Sequence, residues 1–527
     1  MISPLDVSIL DRNSEYLGID VSRLMEAAGR SLADEMIGRY PGKGTVTFLI
    51  GPGNNGGDGC VAARHLSEEE IPVKVMLSRD PSGIGTLLAR KAYGDLTEQA
   101  EVGTIVDEDV AEWVKKELEE ASIVVDGLLG AGSKGAPRGK FKDIIRAANS
   151  ADALKVAVDS PTGMGFENCF RADITVTFHD IKHNMYSGKE PLSECGRIIV
   201  KDIGIPEEAA RIVGPGDLLR YPEKDKDSKK GSAGKVLIIG GGPFVGAPVL
   251  AARAASRVGA DLVRVAVPKG IADTVSGFST EVIVNRLDTL DPYELGPEVM
   301  DDLNGPIDWC HAVLIGPGSG RSRSTLHTLR SVFDEAVARK KSVVLDADAL
   351  TAISEIGQPI KCGGADVLLT PHRGELKRIL LSYFGEGDDY RAPTIDKENG
   401  IEWETGSADM VSRLVHDTGA TVLGKGPADL IAGLGRHSLS DHISMSTRYG
   451  DMLVRFNKAG VPQMSVGGTG DVLAGLCTGL MSLGLEAFDA ASMGAYINGE
   501  AGERSFGEIG HSLSASDMVS RVRVLPP

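Results

Sequence analysis

Two glycine-rich segments carry the residue types in this chain that could do chemistry. The first, GPGNNGGDG at residues 51–59, follows an apolar run. Its glycines allow a close approach of backbone to ligand, and the helix expected after them would offer free N–H groups to a phosphate. Asn54, Asn55 and Asp58 add oxygen atoms that suit a hard cation. This pattern predicts a phosphorylated ligand beside a cation, and the alternative is a tight turn between strand and helix.

Two further apolar runs of the first half end in polar residues. Asp126 ends VVD and leads into another glycine-rich segment, while Asp159 ends VAVD and Thr162 follows it. Ligands of open α/β sheets bind outside the carboxyl ends of the strands. Because turns alone do not need three polar strand ends, we expect these residues to share one ligand site.

The second glycine-rich segment, GGTGD at residues 467–471, opens an apolar stretch that we expect to be helical. Glycine N–H groups at a helix start form an anion hole for a transferring phosphoryl group. Asp471 could take a proton from a substrate hydroxyl that attacks phosphorus. Standing alone, it could equally be a carboxylate that stabilises the helix N-terminus.

Other polar residues of the second half follow apolar runs in an ordered series. His372 could reach a substrate phosphate or ring, and Lys425 is well placed for nucleotide phosphates. An incidental turn histidine and an exposed charge are the alternatives. The series favours a second nucleotide site, and its segments are LIGPGSGRS (314–322), LDADAL (345–350), LLTPHRGEL (368–376) and GKGPAD (424–429).

The elements that must position these residues are short apolar runs separated by helical stretches. A helix is expected from Leu24 to Met36 by its apolar spacing, and another long helical region from 471 to 506. Continuous apolar runs between helices are typical of parallel strands buried on both faces, so each half predicts a doubly wound α/β sheet. The expected strands are 45–50, 73–77, 123–126, 155–159, 174–178, 235–242, 261–267, 312–316, 342–348, 366–370 and 420–425.

The length of the chain requires more than one core, because single cores stop growing at about 250–300 residues. A charged stretch at 220–235 has linker composition. We therefore expect domains at 1–219 and 231–527 joined by a linker at 220–230. The acidic segment 385–407 is interpreted as a surface insertion.

Composition excludes several classes of function. A net charge of -18 argues against nucleic-acid binding, and the sequence has no apolar stretch of the roughly 20 residues that span a membrane. Six scattered cysteines without a CxxC pair predict neither a disulfide framework nor a zinc site. The charged N-terminus is not a signal peptide, so we expect free thiols and a cytoplasmic protein.

Motifs of the first half resemble the epimerase domain of the bifunctional NAD(P)H-hydrate repair enzymes. The resemblance covers residues 1–215 and rests on LMEAAGR, GPGNNGGDG, DGLLGAG, DSPTG, Lys182 and CGRIIVKDIGIP. It implies a Rossmann-like domain that interconverts R and S forms of hydrated NADH and NADPH. It further implies proton transfer by Asp159, a potassium ion held by Asn55, Asp126 and Thr162, and substrate contacts by Asn54, Asn55, Gly56, Gly57, Asp58, Gly130, Ala131, Gly132, Ser133, Lys134, Gly135, Ala136 and Asp159.

Motifs of the second half, over residues 231–523, resemble the ribokinase-like dehydratase domain of the same family. They are GKVLIIGG, GAPVLAARAASRVGADLV, GPGSG, DADAL, TPHRGE, KGPADLI and GGTGDVLAGLCTGL. The resemblance implies a lyase that dehydrates the S hydrate with ADP and Mg²⁺, giving NAD(P)H, AMP and phosphate. It implies Asp471 as the base, a substrate pocket of Ala247, Gly320, His372 and Asp471, and nucleotide contacts by Lys425, Gly426, Pro427, Ala428, Asp429, Gly467, Gly468, Thr469 and Gly470.

Some positions depart from the family pattern, and other functions stay open. Thr162 replaces a usual serine but keeps the hydroxyl, and Arg373 adds a charge beside His372. The alternatives are a ribokinase-like vitamin kinase fused to a nucleotide-binding domain, and a non-enzymatic protein-binding role. Both motif sets on one chain favour the repair enzyme. We expect a homo-oligomer with small-molecule partners and with no nucleic-acid or membrane partner.

Overall fold

The chain folds into two compact units in a computed structural model, Met1–Ala209 and Ala210–Pro527. The structure describes residues 1–96, 100–105, 108–130, 132–133, 135–224, 226–357, 359–385, 389–396, 400–435 and 437–525. Both units are α/β units with largely parallel sheets, which confirms the predicted fold class. No helix among these described residues is both long and apolar enough to cross a membrane.

The first unit is a doubly wound sheet of seven parallel strands. Its helices are α1 (Pro4–Tyr16), α2 (Val21–Ile37), α3 (Asn54–Glu68), α4 (Leu87–Gly94), α5 (Val110–Glu117) and α6 (Lys140–Ser150), and the short α7 (Glu208–Arg211) spans the division between the units. Its strands are β1 (Thr45–Ile50), β2 (Val73–Leu77), β3 (Glu101–Thr104), β4 (Ala121–Gly127), β5 (Leu154–Val158), β6 (Ile174–Phe178), β7 (Tyr186–Ser187), β8 (Glu190–Pro191) and β9 (Arg197–Lys201).

The strand order of this sheet is β3-β2-β1-β4-β5-β6-β9. Strands such as β1 are buried nearly throughout, because apolar clusters lie on both faces of the sheet. The order in which successive strands are added to the sheet changes sides between β1 and β4, where Leu49 pairs with Asp126. Such a reversal leaves a crevice at the carboxyl ends of the strands, which is the usual ligand position in this architecture.

The second unit is built on a sheet of order β10-β22-β20-β19-β16-β15-β14-β11-β12-β13, with β21 paired to β22. Its helices are α8 (Gly246–Arg257), α9 (Ala272–Phe278), α10 (Met300–Trp309), α11 (Arg323–Ala338), α12 (Asp348–Glu355), α13 (Arg373–Phe384), α14 (Thr405–Thr418), α15 (Ser440–Ile443), α16 (Thr469–Ser482), α17 (Ala487–Ile509) and α18 (Ala515–Arg521). Its strands are β10 (Ile212–Val213), β11 (Lys235–Ile239), β12 (Leu262–Pro268), β13 (Ile283–Leu287), β14 (Ala312–Ile315), β15 (Ser342–Leu345), β16 (Val367–Leu369), β17 (Thr394–Asp396), β18 (Gly400–Glu402), β19 (Thr421–Gly424), β20 (Asp429–Gly433), β21 (Ser444–Thr447) and β22 (Gly450–Asn457).

Helix α16 lies at the centre of the second unit and is nearly completely buried. It packs closely on α8, because a Cβ atom added at Gly475 would lie 2.7 Å from the Cα atom of Ala251. The order of strand addition changes sides between β11 and β14 in this sheet. The loops after these two strands lie beside the N-termini of α8 and α16. The second unit therefore also has a switch point at which a ligand can bind.

Residues 210–219 group with the second unit, whereas the sequence led us to expect them in the first domain. Strand β10 pairs with β22, and the fully buried Arg455 binds Asp217 and donates to the carbonyls of Ala210 and Ile212, both at 2.8 Å. A buried guanidinium needs these partners, since an unpaired buried charge is costly. The first residues of the expected linker are also bound to the second unit, because the hydroxyl of Tyr221 donates to the carbonyl of Val258 at 2.8 Å.

The acidic segment 385–407 is only partly a surface insertion. Of its described residues, β17 and β18 form a small antiparallel hairpin, and Tyr390 is 1% exposed. The ring of Trp403 packs edge-on against Phe456 of β22, with 6.2 Å between the ring centroids. Aromatic side chains thus attach this polar segment to the unit.

Candidate active sites

Asn55 lies at the switch point of the first sheet, in the first turn of α3. Its side chain is 9% exposed, and among the described residues neither its amide oxygen nor its amide nitrogen has a hydrogen-bond partner. The loop after β4 passes close by, since a Cβ atom on Gly130 would lie 3.6 Å from the Oδ1 atom of Asn55. A buried amide without partners costs free energy, which indicates that a ligand or ion completes this site.

Asp126 and Thr162 form a second polar group at the same sheet edge. The hydroxyl and the N–H of Thr162 each donate to the Asp126 carboxylate at 2.7 Å, and the N–H of Leu128 donates at 3.2 Å. Burial nevertheless raises the pKa of Asp126 to about 6, although these hydrogen bonds oppose the change. The ionised form of Asp126 is therefore not fully compensated by these hydrogen bonds.

Asp159 occupies the end of β5 in a strained backbone conformation with φ of 60°. Residues other than glycine adopt such angles rarely, and they often do so at functional sites. The ammonium of the fully buried Lys182 contacts the Asp159 carboxylate and donates to the carbonyl of Phe178 at 2.9 Å. The hydroxyl of Thr177 also donates to Asp159, at 3.1 Å, so the carboxylate is held on a fixed cationic partner.

Asp58 and Asp11 complete the charge cluster around Asp159. Burial, then the charges of Asp159 and Asp11, raise the pKa of Asp58 well above its usual range, and Lys182 opposes the change. Burial and Asp159 also raise the pKa of Asp11 to about 6. The cluster therefore contains two carboxyl groups, Asp58 and Asp11, whose pKa values are raised by burial and by the charge of Asp159.

The remaining predicted residues of the first site lie at the same switch point. Gly56 and Gly57 are buried in the first turns of α3. The loop from β4 to α6 contains the rest of the predicted contacts, namely Gly130, Gly132, Ser133, Gly135 and Ala136. Ala131 and Lys134 lie outside the described residues.

A cavity of about 570 Å³ marks the switch point of the second unit. It brings together four of the predicted residues, Ala247, Gly467, Gly468 and Asp471. Gly468 has φ of 95°, and a Cβ atom there would lie 2.6 Å from a methyl group of Leu250. Glycine is needed at this position for both reasons. It precedes the first residue of α16 and lines the cavity.

Asp471 stands in the first turn of α16 beside two further aspartates. Burial, then the charge of Asp346, raise the pKa of Asp471 to about 7, with Asp348 adding to the rise and Lys425 opposing it. A carboxyl group with such a pKa can accept a proton near neutral pH and pass it on.

Lys425 is paired with Asp346, not with Asp471. Its ammonium donates to Asp346 at 2.8 Å, and the hydroxyl of Thr370 donates to the same oxygen at 2.8 Å. Burial disfavours its charge, but Asp346 and Glu375 outweigh burial and raise the pKa of Lys425. A Cβ atom on Gly470 would lie 3.2 Å from the ammonium, so the cation reaches the glycine-rich turn.

The turn between β19 and β20 contains the other predicted nucleotide residues. Gly426 donates its N–H to Asp429 at 3.0 Å, and Pro427 and the buried Ala428 lie between them. Burial raises the pKa of Asp429 to about 6. The hydroxyl of Thr469 donates to the carbonyl of Met464 at 2.9 Å, which fixes the turn before α16.

His372 and Gly320 lie beside the cavity but not in its lining. The ring Nδ1 atom of His372 accepts from the N–H groups of Gly374 at 3.0 Å and Glu375 at 3.3 Å, so this histidine caps α13. Its backbone pairs with that of Lys425. Gly320 donates its N–H to the lining residue Asp348 at 2.8 Å.

Comparison with known proteins identifies the family to which both halves of the chain are similar. A family model described as YjeF-related protein N-terminus matches residues 21–184, and one described as NAD(P)H-hydrate dehydratase matches residues 236–523. A bifunctional NAD(P)H-hydrate repair enzyme of Methanothermobacter thermautotrophicus is 37% identical to this chain. The alignment covers 99% of this chain and 94% of that enzyme. One from Hyperthermus butylicus is 36% identical, over 99% of this chain and 91% of its own.

The chain belongs to the family of bifunctional NAD(P)H-hydrate repair enzymes. This finding confirms the resemblance inferred from the motifs of both halves. Among solved structures, a ribokinase-like superfamily protein from Enterococcus faecalis aligns with a TM-score of 0.45 at 20% identity, covering 60% of this chain and 97% of its own.

Sequence reasoning missed four charged residues of this repair-enzyme chain. Asp346 and Asp348 stand in LDADAL after a strand, so the strand-end signal could have assigned them a role. Lys182 counted only as part of the resemblance. Asp11 had no signal, because it lies within α1 and only the tertiary fold brings it to Asp159.

Proposed function

We propose that this chain restores NADH and NADPH from their hydrated forms in two steps. The first unit acts as an isomerase that interconverts the R and S hydrates. The second unit acts as a lyase that dehydrates the S hydrate with ADP, giving NAD(P)H, AMP and phosphate. The observation that carries the proposal is Asp471, whose pKa is raised to about 7 in a cavity at the glycine-rich start of α16.

In the second unit, Asp471 accepts the proton of the ring hydroxyl while that oxygen attacks the terminal phosphorus of ADP. The bond from this phosphorus to AMP breaks, and the N–H groups of residues 467–470 stabilise the charge on the transferring group. The new phosphate ester then loses phosphate as its C–O bond breaks. The neighbouring ring carbon gives up a proton, which restores the double bond.

The nucleotide in this proposal lies along the turns that contain Lys425 and Gly468. A lysine ammonium beside a helix N-terminus suits the phosphates of ADP. Among the described residues, no group of three or more His, Cys, Asp or Glu side chains could hold a metal ion. Magnesium would enter with the nucleotide phosphates, which is its common binding mode. The choice of ADP over ATP rests on the family resemblance.

In the first unit, Asp159 is the base and Asp58 is the acid of the epimerisation. Inversion at the hydroxyl-bearing carbon can break its C–O bond as a proton donor releases the hydroxyl as water. A new C–O bond then forms on the opposite face as a base takes a proton from the attacking water. Burial and the nearby carboxylates raise the pKa of Asp58, which suits a proton donor, while the ammonium of Lys182 contacts and orients the carboxylate of Asp159. Environments that separate two carboxyl groups in this way assign them different roles.

A potassium ion held by Asn55, Asp126 and Thr162 completes this site in the proposal. Their side chains offer amide, carboxylate and hydroxyl oxygens, the ligand types that hard cations prefer. The buried carboxylate of Asp126 and the amide of Asn55, which has no hydrogen-bond partner among the described residues, both fit a bound cation. The ion would supply charge that orients the substrate and compensates Asp126.

We keep a ribokinase-like vitamin kinase as the second candidate, because Asp471 and the anion hole would serve any alcohol that attacks a phosphoryl group. The location expected for the repair reaction is the cytoplasm, and the six free cysteines fit a reducing compartment. A homo-oligomer stays an expectation, and light scattering of the purified chain tests it.

The test measures NADH absorbance after a mixture of R and S NADH hydrates is given ADP or ATP. Full recovery is expected from the wild type. Asp471→Asn should lower the dehydration rate by about 10²–10⁴-fold, the usual contribution of a general base. Asp159→Asn should recover only the S fraction once spontaneous epimerisation is subtracted.

The matched control is Asp301→Asn, which changes an exposed carboxylate in the first turn of α10 and should keep the wild-type rate. Recovery with neither nucleotide would contradict the dehydratase activity. Phosphorylation of a vitamin alcohol by the same preparation would then favour the kinase.

A further inference from the structure

A second cavity in the first unit belongs to neither the carboxylate cluster nor the potassium ligands. It has a volume of about 640 Å³ and lies where β2 and β3 end and α6 begins. We call it the basic pocket, and it is lined by Ser78, Arg79, Asp80, Thr104, Ile105, Arg138, Lys140 and Phe141. The loop that the family resemblance assigns to nucleotide contact runs directly into it.

The basic pocket has an excess of positive charge in a chain whose net charge is -18. Arg79 and Arg138 are exposed and form no ion pair with any residue that the structure describes. Asp80 is the one carboxylate in the lining, and it accepts from the N–H and the hydroxyl of Ser82, at 3.0 and 2.6 Å. Two guanidinium groups are thus available to an anion.

Ser78 gives an independent sign of a ligand in the same place. The side chain is 2% exposed, and within the described part of the chain its hydroxyl has no hydrogen-bond partner. Its N–H donates to the carbonyl of Ile50 at 2.8 Å, which fixes the residue beside the end of β1. A buried hydroxyl that lines a cavity of guanidinium groups is suited to a phosphate oxygen.

The sheet order relates the basic pocket to the catalytic end of the first unit. Asp159 ends β5, Asp126 ends β4, and β1 and β2 follow in that order across the sheet. Three strand spacings separate β5 from β2, about 14 Å in total, which an extended dinucleotide can cover. In doubly wound dinucleotide-binding sheets, residues after the second strand contact the adenosine ribose, and an arginine there accommodates a 2′-phosphate.

We propose that the basic pocket binds the ribose 2′-phosphate of NADPH hydrate through Arg79, Arg138 and Ser78, and so makes the epimerase unit favour NADPH hydrate over NADH hydrate. The inference rests on the proposed function, since it names a subsite for the same substrate. Lys140, whose ammonium contacts the carbonyl of Ile105, forms the far side of the pocket at the start of α6.

The test compares kcat/KM for epimerisation of the two hydrates, followed by chromatographic separation of R and S forms. Arg79→Ala and Arg138→Ala should each lower kcat/KM for NADPH hydrate by about tenfold or more, mainly through KM, because a charge-assisted hydrogen bond contributes about 1.5–3 kcal/mol. The value for NADH hydrate should stay within about twofold. Ser78→Ala should act in the same direction with a smaller effect.

Arg146→Ala is the matched control, since Arg146 is an exposed arginine on α6 outside the basic pocket. Equal losses on both hydrates, or no loss on either in an active epimerase, would overturn the inference.

A wild type that epimerises neither hydrate would instead contradict the proposed function. In that case binding of 2′-AMP and 5′-AMP to the full chain decides about the pocket by itself. The double variant of Arg79 and Arg138 should bind 2′-AMP at least about tenfold more weakly than the wild type, with 5′-AMP unchanged. Equal affinities for 2′-AMP would overturn the inference.

Discussion

Each unit places a lysine among aspartates at the carboxyl ends of its strands, but the two lysines have different partners. Lys182 contacts Asp159, the carboxylate that we propose as the base of the epimerase. Lys425 pairs with Asp346, and Asp471 keeps a pKa raised to about 7. The direct contact holds the carboxylate of Asp159 in place, whereas Asp471, whose neighbouring lysine is paired with Asp346, has a pKa at which it can take up and release a proton near neutral pH. A lysine–aspartate pair thus includes the proposed catalytic aspartate in the first unit, but leaves it out in the second.

Breaking the pair in the first unit is expected to have the largest effect. Lys182→Met should nearly abolish epimerisation and lower the free energy of unfolding of the first unit by about 3–5 kcal/mol, because it leaves a carboxylate without its buried partner. Calorimetry and the R-to-S conversion rate measure the two effects. Unchanged epimerisation would remove Lys182 from the proposed mechanism.

Lys182→Arg separates charge from shape at the same position. A retained cation should preserve more of the stability than methionine does, while the bulkier guanidinium would still disturb Asp159. Equal losses in both variants would indicate that packing matters there, not charge.

The second site should reveal its displaced lysine in a pH profile. Since Asp471 must be ionised to act as a base, kcat/KM for dehydration should rise with pH and level off above about 7. Lys425 lowers the pKa of Asp471, so Lys425→Met should move the rising limb to higher pH. A limb that stays in place, with only KM for the nucleotide changed, would restrict Lys425 to binding.

Potassium should give the smallest of these effects, and a pH-dependent one. In the folded state burial raises the pKa of Asp126 from 3.8 to about 6, so without a cation its contribution to stability falls as pH rises between these values. Potassium competes with that proton, and its stabilisation should be full above pH 6 and fade below it.

Thermal unfolding with potassium or choline chloride measures this effect. Ten times the dissociation constant of potassium would add about 1.4 kcal/mol at neutral pH. Thr162→Ser is the matched control that keeps the hydroxyl and should retain the response, whereas Thr162→Val should lose it. The same response at pH 5 and pH 8 would show that potassium does not act through Asp126.

The sequence predicted best where a signal is local. Apolar runs placed the predicted strands to within a few residues, because burial on both faces of a sheet imposes that pattern, although β3, β9, β13, β20 and β22 were not predicted. Asp126 and Asp159 lie at strand ends as their segments indicated. Asp11 was out of reach, since a helix residue that meets a distant strand end has no local pattern.

Tertiary partners explain the other differences between sequence and structure. Arg455 lies in a strand, and nothing in its own segment shows that it needs Asp217 and the carbonyls around residue 210. That need assigns residues 210–219 to the second unit. His372 stays a predicted residue of the substrate pocket, and its capping of α13 depends on a ring orientation that the sequence does not reveal.

The close packing of α16 on α8 has a consequence for the rate of the reaction. Asp471 begins one helix and Ala247 begins the other, so the contact of Gly475 with Ala251 fixes how far the proton acceptor stands from the opposite wall of the cavity. A displacement of about 1 Å between reacting groups can cost a hundredfold in rate. The absence of a side chain at Gly475 therefore sets the width of the cavity in which Asp471 would accept its proton.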